Sequence, residues 1–245
     1  MENGFYLITG TSRGIGEALA YKALEAGNTV LGVSRSQSES LNSPKYIHLP
    51  FDLAETSRLG QILEKVDEIV GHQSFDFVCL VNNASMVEPL GLIEECAVSE
   101  IESHLQVGLI APMQLTSMFI RKFRDEKIRK KVAFISSGAG FTAMPGSSIY
   151  CSSKAGITMF AECVGLEQEN NPDGFEVISI GPGMVDTSMQ QTTRSKTSTE
   201  FPMADFFRQA YADGRLQEPG MVADQIYAIL ENTYEQGKFV SVGED

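Results

Sequence analysis

Cysteine, histidine and basic charge are all scarce in this chain, and each shortage removes a class of function. The four cysteines, Cys79, Cys96, Cys151 and Cys163, show no paired short spacing, and only His48, His72 and His104 accompany them. That pattern makes neither a zinc site nor a disulfide framework, so no metal is expected. Lysine and arginine total 19 against 32 acidic residues, a formal net charge of −13. A surface of that sign repels nucleic acid and anionic membranes, although one local basic pocket could still hold a phosphate. No apolar run reaches the ~20 residues of a spanning helix. The start, MENGFYLITG, lacks the basic-then-apolar form of a secretory signal. A reducing, cytoplasmic setting is expected, with a small molecule as partner and no nucleic acid or membrane. No linker-like tract interrupts the 245 residues, of which 42% are hydrophobic and 21% charged.

What is present is a regular alternation. GFYLIT (4–9), TVLGVS (29–34), YIHLP (46–50), FDFVCLVNN (75–83), KVAFISS (131–137), FEVISI (175–180) and KFVSV (238–242) read as strands. Between them lie helical patterns at 17–27, 56–70, 99–122 with a kink at Pro112, 148–169 and 222–233. Near-continuous apolar strands separated by helices predict an α/β fold, a doubly wound parallel sheet with helices on both faces. With no boundary or repeat, residues 1–245 read as a single nucleotide-binding and catalytic domain.

ITGTSRGIG (8–16) closes the first strand and opens the first helix. Gly10, Gly14 and Gly16 allow a tight turn and close approach of backbone to ligand, and the amides of Ser12, Arg13 and Ile15 lie in the same stretch. Exposed amides at a helix start hold a pyrophosphate. A site for the diol form of the cofactor carries an acid at the end of the second strand, but here that strand ends in Ser34 and Arg35. Arg35, aided by Arg13, suits a 2′-phosphate, which points to NADP(H). Asp52 could accept a hydrogen bond from an adenine amino group or cap the helix beginning near Thr56.

In SSIYCSSKAG (147–156), Tyr150 and Lys154 lie one helical turn apart. Reduction of a ketone leaves negative charge on oxygen, so a proton donor is needed there. A lysine charge beside the tyrosine would favour tyrosinate and lower its pKa. Taken with ITGTSRGIG, Asp52-Leu53, LVNNAS, ISSG and Pro182-Gly183 followed by Thr187, this order of motifs resembles the short-chain dehydrogenase/reductase family over nearly the whole chain. Within that family the chain is most similar to the reductases of sepiapterin and of benzil-type diketones. The resemblance implies a Rossmann-like fold, Ser137 as a catalytic serine beside Tyr150 and Lys154, and a homodimer, possibly a tetramer. By the same resemblance Asn82, Asn83 and Ala84 lie under the adenine ribose and central sheet. Pro182, Gly183, Val185 and Thr187 lie beside the nicotinamide, and Lys154 touches the nicotinamide ribose.

Two positions depart from the family pattern. Ser85 stands where a glycine is usual, and Gly108 stands where an asparagine holds a water in the proton relay. The implied substrate wall comprises Gly138, Ala139, Phe141 and Met144, with Met184 and Met189. A helical insert at 188–215 is expected to cover it. In FPMADFF (201–207), Phe206 and its neighbours either line an aromatic pocket or anchor the insert. Ser241 stands near where sepiapterin reductases carry a pterin-anchoring acid, which favours a benzil-like diketone or another bulky aromatic ketone.

Overall fold

A computed structural model describes residues 3–243 of the chain. Seven parallel strands form one sheet in the order β3-β2-β1-β4-β5-β6-β7. They are β1 (Gly4–Thr9), β2 (Thr29–Ser34), β3 (Tyr46–Pro50), β4 (Phe77–Asn82), β5 (Arg129–Ile135), β6 (Glu176–Gly181) and β7 (Phe239–Ser241). The strand order reverses direction between β1 and β4, and the crevice at such a switch point is where open α/β sheets bind ligands.

Burial on both faces explains the unbroken apolar strands. In β1, Phe5 and Leu7 join a core on one face, while Tyr6 and Ile8 join a core on the other. Helices α2 (Gly60–Val70), α4 (Ala111–Phe123) and α5 (Ser148–Gln168) cover the first face. Helices α1 (Gly14–Glu25) and α8 (Pro219–Glu231) cover the second. The doubly wound arrangement expected from the alternation is present. Among the described residues no helix is long and apolar enough to cross a membrane.

The helix expected over 99–122 is divided. Helix α3 (Val98–Leu105) passes through a π-turn, Gln106–Ile110, into α4. The distortion falls in the turn before Pro112, for a local reason. Proline has no N–H for the Gly108 carbonyl four residues back, and its ring crowds that carbonyl. Widening the turn relieves both, and the Ala111 amide reaches the Gln106 carbonyl instead.

Strand β5 ends at Ile135, so Ser137 lies just beyond the strand rather than within it. The Ser137 hydroxyl accepts from the Ala139 amide at 3.2 Å and caps a 3₁₀ turn, Gly138–Gly140.

The apolar residues of α4 and α5 divide, with Leu115, Phe119 and Val164 belonging to the core. Met113, Met118 and Phe160 pack against that core, and Met159 is exposed.

Candidate active site

The glycine loop leaves β1 at the switch point and is braced from two sides. Asn83 donates through Nδ2 to the Thr9 carbonyl at 2.8 Å, while the Asn83 and Ala84 amides both reach the Thr9 hydroxyl at 3.0 Å. The Asn83 side chain therefore braces the loop. Asn82 reaches Thr116 of α4 at 3.1 Å and ties the end of β4 to that helix. Ser85, at the departure from the family pattern, is half-buried, with its hydroxyl 3.4 Å from the Met86 carbonyl.

Gly16 is a close-approach position, because a Cβ there would collide with the Gly10 carbonyl. Gly14, at φ +64°, faces Thr187, where an added Cβ would lie 3.3 Å from the threonine methyl. The segment after β6 is fixed in turn, since the Gln217 amide donates to the Met184 carbonyl at 2.8 Å and the Asp186 amide to the Gln217 carbonyl at 2.9 Å. Val185 is buried between them, with Pro182 buried and Gly183 exposed.

Arg13 caps the start of α1 in extended backbone, and both it and Arg35 project into solvent. Ser12 and Ile15 are half-buried within the loop. Ser34 is buried and hydrogen-bonded to the Ser36 carbonyl at 2.9 Å and to His48 at 3.1 Å. Asp52 uses Oδ1 to accept from the Ala54 amide at 3.0 Å, so it shapes the turn after β3 instead of capping near Thr56; Leu53 beside it is core. Sequence reading missed Glu17, which accepts from the hydroxyls of Ser38 and Ser40 and ties the loop after β2 to α1.

At the centre, Ser137, Tyr150 and Lys154 come together from β5 and α5. Ser136 and Ser137 point to opposite sides, as strand alternation expects. Ser136 turns inward to Thr158 at 2.7 Å, and Ser137 hydrogen-bonds the Tyr150 phenol. Lys154 is buried, donates to the Ile135 carbonyl at 2.8 Å, and its Nζ lies 5.6 Å from the Tyr150 ring centre.

The electrostatics correct one expectation. Burial raises the Tyr150 pKa above the ordinary phenol value, and the Ser137 hydrogen bond opposes this only in part. Burial also pushes Lys154 down to about 8, so its charge is present at neutral pH and is lost above that value.

Gly108, in the π-turn, is buried beside this site, and a Cβ there would lie 3.5 Å from Ser153 Oγ and 3.7 Å from His104 Cδ2. Sequence reading noted the glycine but missed both neighbours. His104 stands four residues before Gly108 on the same helical run, whereas Ser153 comes from α5 and only the fold brings it there.

The insert is built from α6 (Ser188–Ser195) and α7 (Ala204–Ala212). Phe201, Ala204 and Phe207 form a small separate core on which Leu90, Met144 and Met203 pack. Phe201 and Phe207 therefore anchor the insert. Phe206 is exposed, with the Arg215 guanidinium 5.3 Å from its ring centre. Arg194 pairs with Asp186 at 2.9 Å, and Lys196 with Glu88 at 3.7 Å. Ala139 is buried, Gly138 is exposed, Phe141 is exposed and packed edge-on to Phe239, and Met184 and Met189 are half-buried.

The short chain dehydrogenase family model matches residues 5–198. The benzil reductase ((S)-benzoin forming) of Bacillus subtilis (strain 168) is 34% identical over 239 residues, covering 98% of each chain. The sepiapterin reductase of Mus musculus is 27% identical over 251 residues, covering 96% of this chain and 94% of its own. Among solved structures, the KRED1-Pglu enzyme superposes with a TM-score of 0.84 at 25% identity, covering 97% of this chain and 100% of its own.

Proposed function

The chain belongs to the short-chain dehydrogenase family, and on that footing we propose that it is an NADPH-dependent reductase of bulky aromatic ketones and 1,2-diketones of the benzil type. The observation that carries this reading is the meeting of Ser137, Tyr150 and Lys154 past the end of β5, on the same edge of the parallel sheet as the glycine loop. The loop and the segment after β6 fit a dinucleotide, since the loop turns tightly at Gly10 and Gly14, both at positive φ, and opens α1 with its backbone amides. Arg13 and Arg35, both exposed, are the groups for a 2′-phosphate.

NADPH, when bound, supplies the hydride that adds to the carbonyl carbon. Ser137 donates a hydrogen bond to the carbonyl oxygen and orients it. Tyr150 then gives its phenolic proton to that oxygen as the negative charge develops. Its raised pKa keeps it protonated at neutral pH, which is the form reduction needs. Lys154, with its pKa near 8, holds its proton at neutral pH and places a positive charge next to the phenol as the proton leaves. The insert, anchored through Phe201 and Phe207, covers the substrate side.

Similarity to a benzil reductase along the whole chain supports a diketone over a pterin, as does Ser241 in β7. The product expected from benzil is benzoin, by reduction of one carbonyl. The test follows NADPH absorbance with benzil, simple aromatic ketones and sepiapterin. Benzil is expected to be consumed fastest. NADPH binding without oxidation by any of them would replace this reading with a nucleotide-binding protein that lacks turnover.

A further inference from the structure

A buried imidazole lies against Tyr150, and one protonation state cannot satisfy all the hydrogen-bonding groups around it. His104, in the last turn of α3, is fully buried. Its Nδ1 lies 2.7 Å from the Glu88 carbonyl oxygen and its Nε2 lies 2.9 Å from Ser153 Oγ. Ser153 Oγ is also 2.9 Å from the Tyr150 carbonyl oxygen. The imidazole stands edge-on to the Tyr150 ring, with centroids 6.2 Å apart and planes at 88°.

A carbonyl oxygen only accepts, so Nδ1 must carry a hydrogen. Ser153 then has one hydrogen and two places to put it. With neutral imidazole, Nε2 is a lone pair and takes the serine hydrogen, leaving the Tyr150 carbonyl without it. With imidazolium, Nε2–H donates to Ser153, and the serine hydrogen turns to the Tyr150 carbonyl. One proton on His104 thus reorients the hydroxyl that bears on the turn of α5 holding Tyr150.

Position 108 joins this arrangement directly. A side chain there would start 3.5 Å from Ser153 Oγ and 3.7 Å from His104 Cδ2. The pair therefore occupies the surroundings into which an asparagine at that position would reach. We propose that His104, acting through Ser153, is a positioning residue for Tyr150 in place of a side chain at 108, and that its neutral, Nδ1-protonated form supports reduction. The inference builds on the reductase reading above.

The groups around His104 favour that form. From α5, Tyr150 presents its ring, and Lys154 presents a positive charge that adds to burial in lowering the histidine pKa. From the loop after β4, Glu88 presents its carbonyl while its carboxylate pairs with Lys196. On its own helix, Glu100 is turned back to the Ala97 amide at 3.1 Å. A proton on His104 would in turn disfavour the one on Lys154.

Two measurements on the whole protein test this. Long-range nitrogen–proton NMR of the ligand-free protein at about pH 7.5 reads the histidine tautomers. Only His48 and His72 share the spectrum, and His104→Phe assigns the third. The Nδ1–H tautomer is expected, and finding Nε2–H would overturn the proposal. Kinetics with NADPH and benzil give the second readout. Wild-type kcat is expected to fall as pH drops below the ordinary histidine range. Ser153→Ala should lower neutral-pH kcat about tenfold, leave KM for NADPH within about twofold and remove that acid decline. An unchanged acid limb in Ser153→Ala would overturn the proposal, and that variant keeps the test alive if His104→Phe fails to fold. Should wild-type protein not reduce benzil at all, the reductase reading fails alone, and the tautomer still decides this inference.

Discussion

Lys154 shows what a single side chain can cost and supply. Its folded pKa of about 8 lies below its ordinary value of 10.5, so the fold disfavours the charge that reduction uses. The difference corresponds to about 3 kcal/mol, offset by ~1 kcal/mol for the hydrogen bond to Ile135. Lys154→Met is therefore expected to abolish turnover while raising stability by roughly 1–2 kcal/mol, measured by urea unfolding at neutral pH. Between about 8 and the unfolded value the folded state has already released this proton, so stability from this residue rises with pH across that window and the full cost applies below it. Activity runs the opposite way, and kcat for reduction should decline as pH rises through about 8. A rate flat from neutral pH to well above 8 would remove Lys154 from the proton supply. At this scale the local pairing of Tyr150 and Lys154 was legible, because a helix turn sets it. The direction of the tyrosine shift was not, because burial of both groups depends on what the rest of the chain packs against them.

At the scale of elements, the π-turn and the insert carry the consequences. Pro112 deforms the turn that contains Gly108, and Gly108 opens that turn towards Ser153 and His104. Gly108→Asn fits at its Cβ, which makes ordinary contacts, but its amide must compete for Ser153. The variant is expected to fold, with kcat altered and its pH profile moved. An unmoved profile would show that position 108 takes no part in proton supply. The insert makes a different prediction. Phe201 is fully buried in a small core separate from the main ones, so Phe201→Ala should cost roughly 3 kcal/mol locally. Because that core is a satellite, the loss is expected first as proteolytic nicking within 188–215 and a higher KM for the diketone. Resistance to protease equal to wild type would argue against the anchoring role. Composition alone left the aromatic run open between pocket and anchor. The fold divides it, burying Phe201 and Phe207 and exposing Phe206.

For the whole molecule, the parallel sheet fixes where a ligand meets the chain, and the charge balance fixes how. In a chain of net charge −13, the proposed 2′-phosphate partners Arg13, beside the glycine loop, and Arg35, after β2, are exposed positive charges. NADPH at about a hundredfold over its Kd should stabilise the fold by ~2.7 kcal/mol, raising Tm by roughly 5–10 °C. NADH should do less at equal concentration, and Arg35→Ala should bring the two together. Equal Tm shifts with both cofactors in wild-type protein would remove the 2′-phosphate role. The amino-acid sequence by itself determined the order of strands and helices, the two-faced burial of the sheet and the placement of the glycine loop. These follow from short-range periodicity and turn chemistry, which neighbouring residues carry. Only the tertiary structure decided which asparagine braces the loop and that His104 and Ser153 meet beside Gly108. Those contacts join residues far apart in the chain, and their energies depend on burial that no local pattern encodes.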